Sequence, residues 1–116
     1  MRNLFSDAWE QTDAELRDFT PILVRSLAYV CAYADADLVG FVNVAWDGDQ
    51  HAFLLDTTVR KSARRAGIGT ALVHRAVDEA RKRGAQWMHV DFEPHLTGFY
   101  RNCGFRDTEA GLIKLR

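Results

Sequence analysis

The stretch that most constrains the fold is residues 59–72, VRKSARRAGIGTAL, where a strand-like run passes into a helix through a basic turn. The run before it, residues 53–59, is of β type, and apolar positions at helical spacing follow it. Gly67 and Gly69 stand where the helix begins, after four basic residues. Unpaired helix amides and positive side chains converge there, so the stretch predicts a site for a phosphorylated ligand.

Two well-known phosphate motifs fit these residues less well. A Walker loop requires Lys-Ser or Lys-Thr after its second glycine, and a dinucleotide fingerprint requires a third small residue where Leu72 stands. The same residues also permit a simpler interpretation, a solvated basic turn before an ordinary helix. Local sequence leaves both interpretations open.

The rest of the chain predicts a single α/β domain over residues 1–116. A capping box at Thr12 and a Thr20-Pro21 pair predict two helical pieces, residues 12–19 and 20–27. The remaining elements, in chain order, are strands at 29–33, 38–46 and 51–59, a helix at 67–83, a strand at 86–92, a short helix at 96–102 and a last strand at 112–115. This order predicts a mixed sheet flanked by helices, with a helix crossover joining parallel neighbours.

Composition excludes several classes of protein. The 15 basic and 16 acidic side chains nearly cancel, which argues against a mainly electrostatic nucleic-acid binder. No apolar run approaches the roughly 20 residues of a membrane span. Cys31 and Cys103 lie far apart, without metal-ligand spacing, so we expect reduced thiols and no metal, with a disulfide as the alternative. These features predict a soluble cytoplasmic protein with neither nucleic acid nor membrane as partner.

A second motif makes a family resemblance specific. Val59 and Arg64-x-x-Gly67-x-Gly69, followed by Phe99-Tyr100-x-x-x-Gly104-Phe105, resemble the GNAT superfamily of acyl-CoA-dependent N-acetyltransferases. The resemblance covers roughly residues 38–105 and implies a GNAT-type sheet with splayed central strands. The sheet is expected to be shortened at both termini. An open sheet edge would then be covered by a partner chain, which predicts a homodimer.

The resemblance implies acetyl-CoA as cosubstrate, bound mainly by backbone groups. Those that would bind pantetheine belong to Thr57, Thr58 and Val59. The pyrophosphate would be held by the amides of Arg65, Ala66, Gly67, Ile68, Gly69 and Thr70, with charge from Arg60, Lys61, Arg64 and Arg65. Glu93 stands where the family often has an asparagine that contacts the cofactor, so that contact is placed in doubt.

Tyr100 matches the family tyrosine that protonates the departing CoA thiolate, a role that suits a phenol. The alternative is a tyrosine that only packs beside its aromatic neighbours. The general base stays open among two groups: the carboxylates of Asp56, Glu93 and Asp91, and the imidazoles of His51 and His95. Each can act directly or through a water molecule.

We therefore predict an N-acetyltransferase that moves an acetyl group from acetyl-CoA to a primary amine by direct attack. The carboxylates near the predicted cleft favour a small cationic amine, with a protein N-terminus or lysine as the next acceptor. One alternative is a non-catalytic CoA-binding or regulatory module on the same fold. Another is a nucleic-acid-binding domain that uses the basic residues 60–65 and 81–83, with Trp46 or Trp87 stacking on bases.

Overall fold

A computed structural model describes residues 24–64 and 66–116 of the chain. These residues form four strands and two helices, which we number in chain order: β1 Ser26–Ala34, β2 Asp37–Trp46, β3 His51–Val59, α1 Ile68–Lys82, β4 Trp87–Val90 and α2 Thr97–Asn102. Short 3-10 turns at Lys61–Ala63 and Pro94–Leu96 precede the two helices. The strands form one sheet in the order β1-β2-β3-β4.

The sheet is mixed, as the sequence predicts. The first three strands form an antiparallel meander, and β4 pairs in parallel with β3 after the α1 crossover. Asp35 occupies the left-handed region, with φ 56°, in the turn between β1 and β2, a conformation that Asp and Asn tolerate better than most residues. Asp47 accepts hydrogen bonds from the amides of Asp49 (2.8 Å) and His51 (3.2 Å), which closes the turn before β3.

One face of the sheet packs against α1 and forms the main core. The apolar stripe of α1 contributes Leu72, Val73 and Ala76, all completely buried, against Val42 and Val44 of β2. Gly40 allows this close approach, because a Cβ at that position would stand 2.8 Å from Leu72 Cδ1. A smaller cluster, Cys31 with Leu38 and Phe41, is also buried.

The structure corrects two predicted elements and leaves another undescribed. The helix predicted at 12–19, and most of the one at 20–27, lie outside the described residues. Residues 24–27 are not helical: Val24 and Arg25 form a turn, and β1 begins at Ser26, whose backbone pairs with Ala45. The strand predicted at 112–115 is wrong as well. Residues 105–116 have no regular secondary structure, since no described strand pairs with them.

The helix ends agree closely with the predicted ones. Gly67 is the N-cap of α1 and Arg83 its C-cap, and Gly84 follows with φ 95°. The Ala85 amide donates to the Ala80 carbonyl at 3.1 Å, so a left-handed glycine satisfies the end of the helix. No helix within the described ranges is both long enough and apolar enough to cross a membrane.

Candidate active site

A β-bulge in β3 shapes the centre of the sheet. Phe41 pairs with Thr58 and Asn43 with Leu55, so two residues of β3, Asp56 and Thr57, stand opposite a single residue of β2. Asp56 takes φ 60°, and its carbonyl accepts a hydrogen bond of 3.0 Å from Thr58 Oγ1. The pairing register thus contains a β-bulge at Asp56 and Thr57.

The bulge reverses the alternation of side chains along β3. Before it, Ala52 and Leu54 are buried against the α1 side of the sheet. After it, Val59 packs against the same core cluster. The residues that face the core are therefore even-numbered before the bulge and odd-numbered after it. The side chain of Asp56 itself is exposed. Strand parity alone therefore could not place this carboxylate.

The pairing between β3 and β4 ends just before the bulge. Their parallel pairing runs from His51 with Trp87 to Leu54 with Val90 and ends there. Beyond that point, residues 55–59 pair with β2 on one side and with no described strand on the other. An opening therefore lies between residues 55–59 and residues 91–93, along the side of β3 that faces away from β2. This is the splay expected of the fold.

The basic turn and the start of α1 border the same strand. The Arg60 amide donates to the Val39 carbonyl at 2.7 Å, and Arg64 Nε donates to the Val59 carbonyl at 3.2 Å. The side chains of Arg60, Lys61 and Arg64 are exposed. The position of Arg65 lies outside the described residues.

The first turn of α1 has the features of an anion site. Gly67 takes φ 77°, and no side chain caps the helix. The first backbone hydrogen bond of the helix runs from the Ala71 amide to the Gly67 carbonyl, at 3.0 Å. The amides of Ile68, Gly69 and Thr70 precede that bond and therefore lack partners within the helix. With no acidic residue in this turn, the dipole and the nearby basic side chains favour an anion.

The two sequence motifs meet at this turn. A Cβ at Gly69 would lie 3.3 Å from Phe99 Cζ, so the glycine permits the aromatic ring of α2 to pack on the start of α1. The Thr70 side chain is hydrogen-bonded to the Cys103 thiol at the end of α2. Partial burial raises the pKa of Cys103, and this hydrogen bond opposes that rise. Residues some thirty positions apart in sequence thus form one structural unit.

Tyr100 lies in α2 within an aromatic cluster. Its ring stacks on Phe92 with centroids 4.7 Å apart and makes edge contacts with Phe99 and Phe105, at 4.9 and 5.9 Å. The residue is 6% exposed. The phenol makes no hydrogen bond to any residue that the structure describes. Packing thus fixes the ring, and the structure leaves both interpretations of this tyrosine open.

The candidate bases are divided between two places. Asp56 borders the opening on β3, while Asp91 and Glu93 follow the end of β4, and all three are exposed. Within the described part of the chain, none of these carboxylates forms an ion pair. His51 lies at the opposite end of the parallel ladder, where its Nδ1 is 2.8 Å from His89 Nε2. The structure separates His51 from the opening.

Asn43, which lies beside the bulge, was not among the residues predicted from the sequence. It is completely buried on β2, opposite Leu55, and its Oδ1 accepts a hydrogen bond from Ser26 Oγ. Among the described residues, its Nδ2 has no hydrogen-bond partner. The sequence did contain an indication, because Asn43 is a single amide side chain within the apolar run 38–46. A polar side chain buried in such a run is expected to form hydrogen bonds.

Comparison with known proteins identifies the family. Residues 1–105 match the model of the Acetyltransferase (GNAT) family, and the chain therefore belongs to that family. Among curated relatives, glucosamine 6-phosphate N-acetyltransferase 1 of Oryza sativa subsp. japonica is 41% identical over 59 residues, 49% of this chain and 36% of the relative. Serotonin N-acetyltransferase 2 of the same plant is 36% identical over 67 residues, 58% of this chain and 34% of the relative. The chain thus spans about a third of the length of these relatives.

Solved structures confirm the fold. A GNAT-family acetyltransferase from Streptococcus pneumoniae TIGR4 superposes with a TM-score of 0.75 at 23% identity, over 99% of this chain and 96% of that one. An aminoglycoside N-acetyltransferase in complex with CoA gives the same TM-score and identity, over 100% of this chain and 96% of that one. The predicted mixed GNAT-type sheet is confirmed.

Proposed function

We propose that this chain is an N-acetyltransferase that transfers the acetyl group of acetyl-CoA to a primary amine. One observation carries the proposal: the uncapped first turn of α1 and the tyrosine helix α2 pack together beside the opening between β3 and β4. Groups suited to phosphate binding and to proton donation would thereby border the same opening. The named activities of the relatives, acetylation of glucosamine 6-phosphate and of serotonin, agree with an amine acceptor.

The residues at this place fit acetyl-CoA. The unpaired amides of Ile68, Gly69 and Thr70, with Arg64 near them, would hold the pyrophosphate. The backbone of Thr57, Thr58 and Val59 would pair with the pantetheine arm along the free side of β3. Acetyl-CoA supplies an activated thioester. In the sequence, Arg65 and Ala66 follow Arg64, and we include their amides in the proposed site.

Tyr100 would act as the general acid. Its ring is held by Phe92 and Phe105, so the phenol oxygen keeps one position, and a phenol can act as a proton donor. Donation of this proton to the sulfur would complete departure of the thiolate. The proton lost by the amine would pass to Asp56 or Glu93, directly or through water.

The acceptor is proposed to be a small cationic amine. Asp56, Asp91 and Glu93 are exposed around the opening, and no described cation neutralises them. Uncompensated carboxylates attract an ammonium group and raise its local concentration. A protein N-terminus or lysine, reaching the opening from outside, is the second candidate acceptor.

The test is to measure acetyl-CoA turnover with a panel of amines, using release of the CoA thiol as the readout. Tyr100→Phe removes one oxygen and keeps the aromatic packing, so we expect normal folding and a kcat lower by about 10²-fold or more. Tyr33→Phe on β1 is the matched control and should retain the wild-type rate.

The outcomes separate the alternatives. If acetyl-CoA produces no shift in the unfolding midpoint and no amine is acetylated, the proposal fails. A midpoint shift without turnover supports the non-catalytic CoA-binding module. An unchanged rate in Tyr100→Phe removes only the acid role. Strong, salt-dependent binding to oligonucleotides would instead favour the nucleic-acid interpretation.

A further inference from the structure

The face of the sheet opposite α1 carries exposed apolar and aromatic side chains along β3 and β4. On β3, Phe53 and Leu55 are 37% and 41% exposed, whereas the alternate residues Ala52 and Leu54 are buried towards α1. Phe53 stands level with His89 in the parallel ladder, and His89 is exposed as well. The two rings stack with centroids 5.0 Å apart and an interplanar angle of 19°. The strands thus present a stacked pair of rings on this face.

The histidine of this pair is held from the far end of the ladder. His51 Nδ1 lies 2.8 Å from His89 Nε2, a hydrogen bond between the two imidazoles. Trp87 is two residues further from the opening and lies beside Arg106, whose guanidinium carbon is 5.7 Å from the centroid of the indole ring. Among the described residues, the Phe53–His89 pair is therefore the aromatic part of this face nearest to the opening.

The same face leads to a carboxylate at the opening. Burial alternates along residues 88–93, with the even-numbered side chains partly buried against the core and the odd-numbered ones exposed. Asp91 therefore continues the row of His89, about 7 Å further along for two extended residues. Within the described ranges, no ion pair neutralises Asp91. An aromatic surface thus ends at an uncompensated negative charge.

We propose that the acceptor amine carries an aromatic ring, which lies on the Phe53–His89 pair while the ammonium group lies beside Asp91. A linker of about two carbon atoms between ring and nitrogen suits the spacing of about 7 Å between these two levels. An aromatic ring gains from contact with other rings beyond the burial of its area, and an aliphatic amine lacks that gain. Phe53 and His89 determine specificity, with His51 as a positioning residue. The inference rests on the proposed acetyltransferase function and names its substrate class.

The first test compares 2-phenylethylamine, 2-cyclohexylethylamine and n-butylamine as acceptors. We expect kcat/KM for 2-phenylethylamine to exceed that for n-butylamine by about 10-fold or more, with the cyclohexyl analogue between them. Phe53→Leu keeps an apolar side chain and removes the ring, so it should reduce this ratio by about 5-fold. If n-butylamine is acetylated as efficiently as 2-phenylethylamine, the inference is overturned and the proposed function stands.

Trp87→Leu is the matched control for Phe53→Leu. It removes an exposed ring from the same face, two residues further from the opening, and should keep the wild-type ratio. Both replaced side chains are exposed, so both variants should fold as the wild type does. An equal fall of the ratio in the two variants would contradict the assignment to Phe53.

The second test measures binding of 2-phenylethylamine without turnover, by NMR of the isotope-labelled chain with CoA present. We expect shifts of the Phe53 and His89 ring signals that saturate with amine concentration, and about 5-fold weaker binding in Phe53→Leu. If no amine is acetylated, the proposed function fails, and this binding test alone decides the inference. Absence of shifts at both rings overturns it. Shifts that follow protein concentration instead of amine concentration also overturn it, because they would assign the face to a second copy.

Discussion

Replacing Gly40 by alanine tests how closely α1 docks on the sheet. The added methyl would stand 2.8 Å from Leu72 Cδ1 and 3.2 Å from Ile68 Cγ2, against an optimum of about 3.5–4.0 Å between carbon atoms. Leu72 is completely buried and has little room to move. Overpacking of this kind costs about 1–3 kcal/mol, while alanine in a strand regains about 0.5–1 kcal/mol relative to glycine. We expect a net loss of about 0.5–2 kcal/mol in the free energy of unfolding.

Urea and thermal unfolding measure this loss directly. For a chain of this size, about 1 kcal/mol corresponds to about 4 °C in Tm. Gly98→Ala is the matched control, because no atom lies within 4 Å of its added methyl and its position in α2 favours alanine. If Gly40→Ala equals or exceeds the wild type in stability, the helix does not dock on β2 as described. Since Ile68 begins α1, we also expect weaker acetyl-CoA binding in this variant.

Three further predictions concern glycine and cysteine positions. Gly67 has φ 77°, and no atom lies within 4 Å of the position that a Cβ would take. Gly67→Ala should therefore lower the free energy of unfolding by about 1 kcal/mol through backbone strain alone. An unchanged urea midpoint would contradict this. Burial raises the pKa of Cys31 from 9.0 to about 11, so a thiol reagent at about pH 8 should modify half-buried Cys103 in the folded chain and Cys31 only on unfolding. Because the folded pKa of Cys31 is the higher one, its contribution to stability should be complete below pH 9.0 and lost as pH rises towards about 11. Cys31→Ala should lack this part of the pH dependence. Equal slopes of the free energy of unfolding against pH in the variant and the wild type would refute the prediction.

Local patterns predicted the elements whose cause is local. The apolar repeat and the glycines at either end define α1, which is observed as Ile68–Lys82 with Gly67 and Arg83 as its caps. The strand predicted at 51–59 is observed as His51–Val59, because turn residues bound it. Side-chain periodicity and turn chemistry operate over a few residues, so a single sequence reveals them.

Features that depend on distant partners were not predictable in this way. In the bulge, Val42 stands opposite two residues of β3. This arrangement depends on how β2 and β3 pair, so the sequence of β3 alone does not reveal it. Residues 112–115 have the composition of a strand, but strand formation requires a neighbour, and none is described for them. The need for glycine at position 40 likewise becomes visible only when α1 lies on β2. The residue types near the opening indicated which side chains could act as the general base. Because several of them qualify, the sequence did not identify a single base.

Asp56 gives the sharpest means to separate backbone from side-chain roles at the proposed site. Its φ of 60° is tolerated by Asp and Asn, is easy for Gly and costs other residues about 1–2 kcal/mol. Asp56→Asn and Asp56→Gly should therefore fold at least as stably as the wild type, whereas Asp56→Ala should lose about 1 kcal/mol.

If the Asp56 carboxylate accepts the amine proton, Asp56→Asn and Asp56→Gly should both lower kcat by about 10²-fold or more, while acetyl-CoA binding is retained because the bulge persists. Glu93→Gln is the matched control for loss of a carboxylate on the other side of the opening. A wild-type kcat in Asp56→Asn, together with a loss in Glu93→Gln, would move the base to Glu93. The bulge would then act only through its backbone, by ending the pairing of β3 with β4, and Asp56 would be present for its tolerance of the left-handed conformation rather than for its charge.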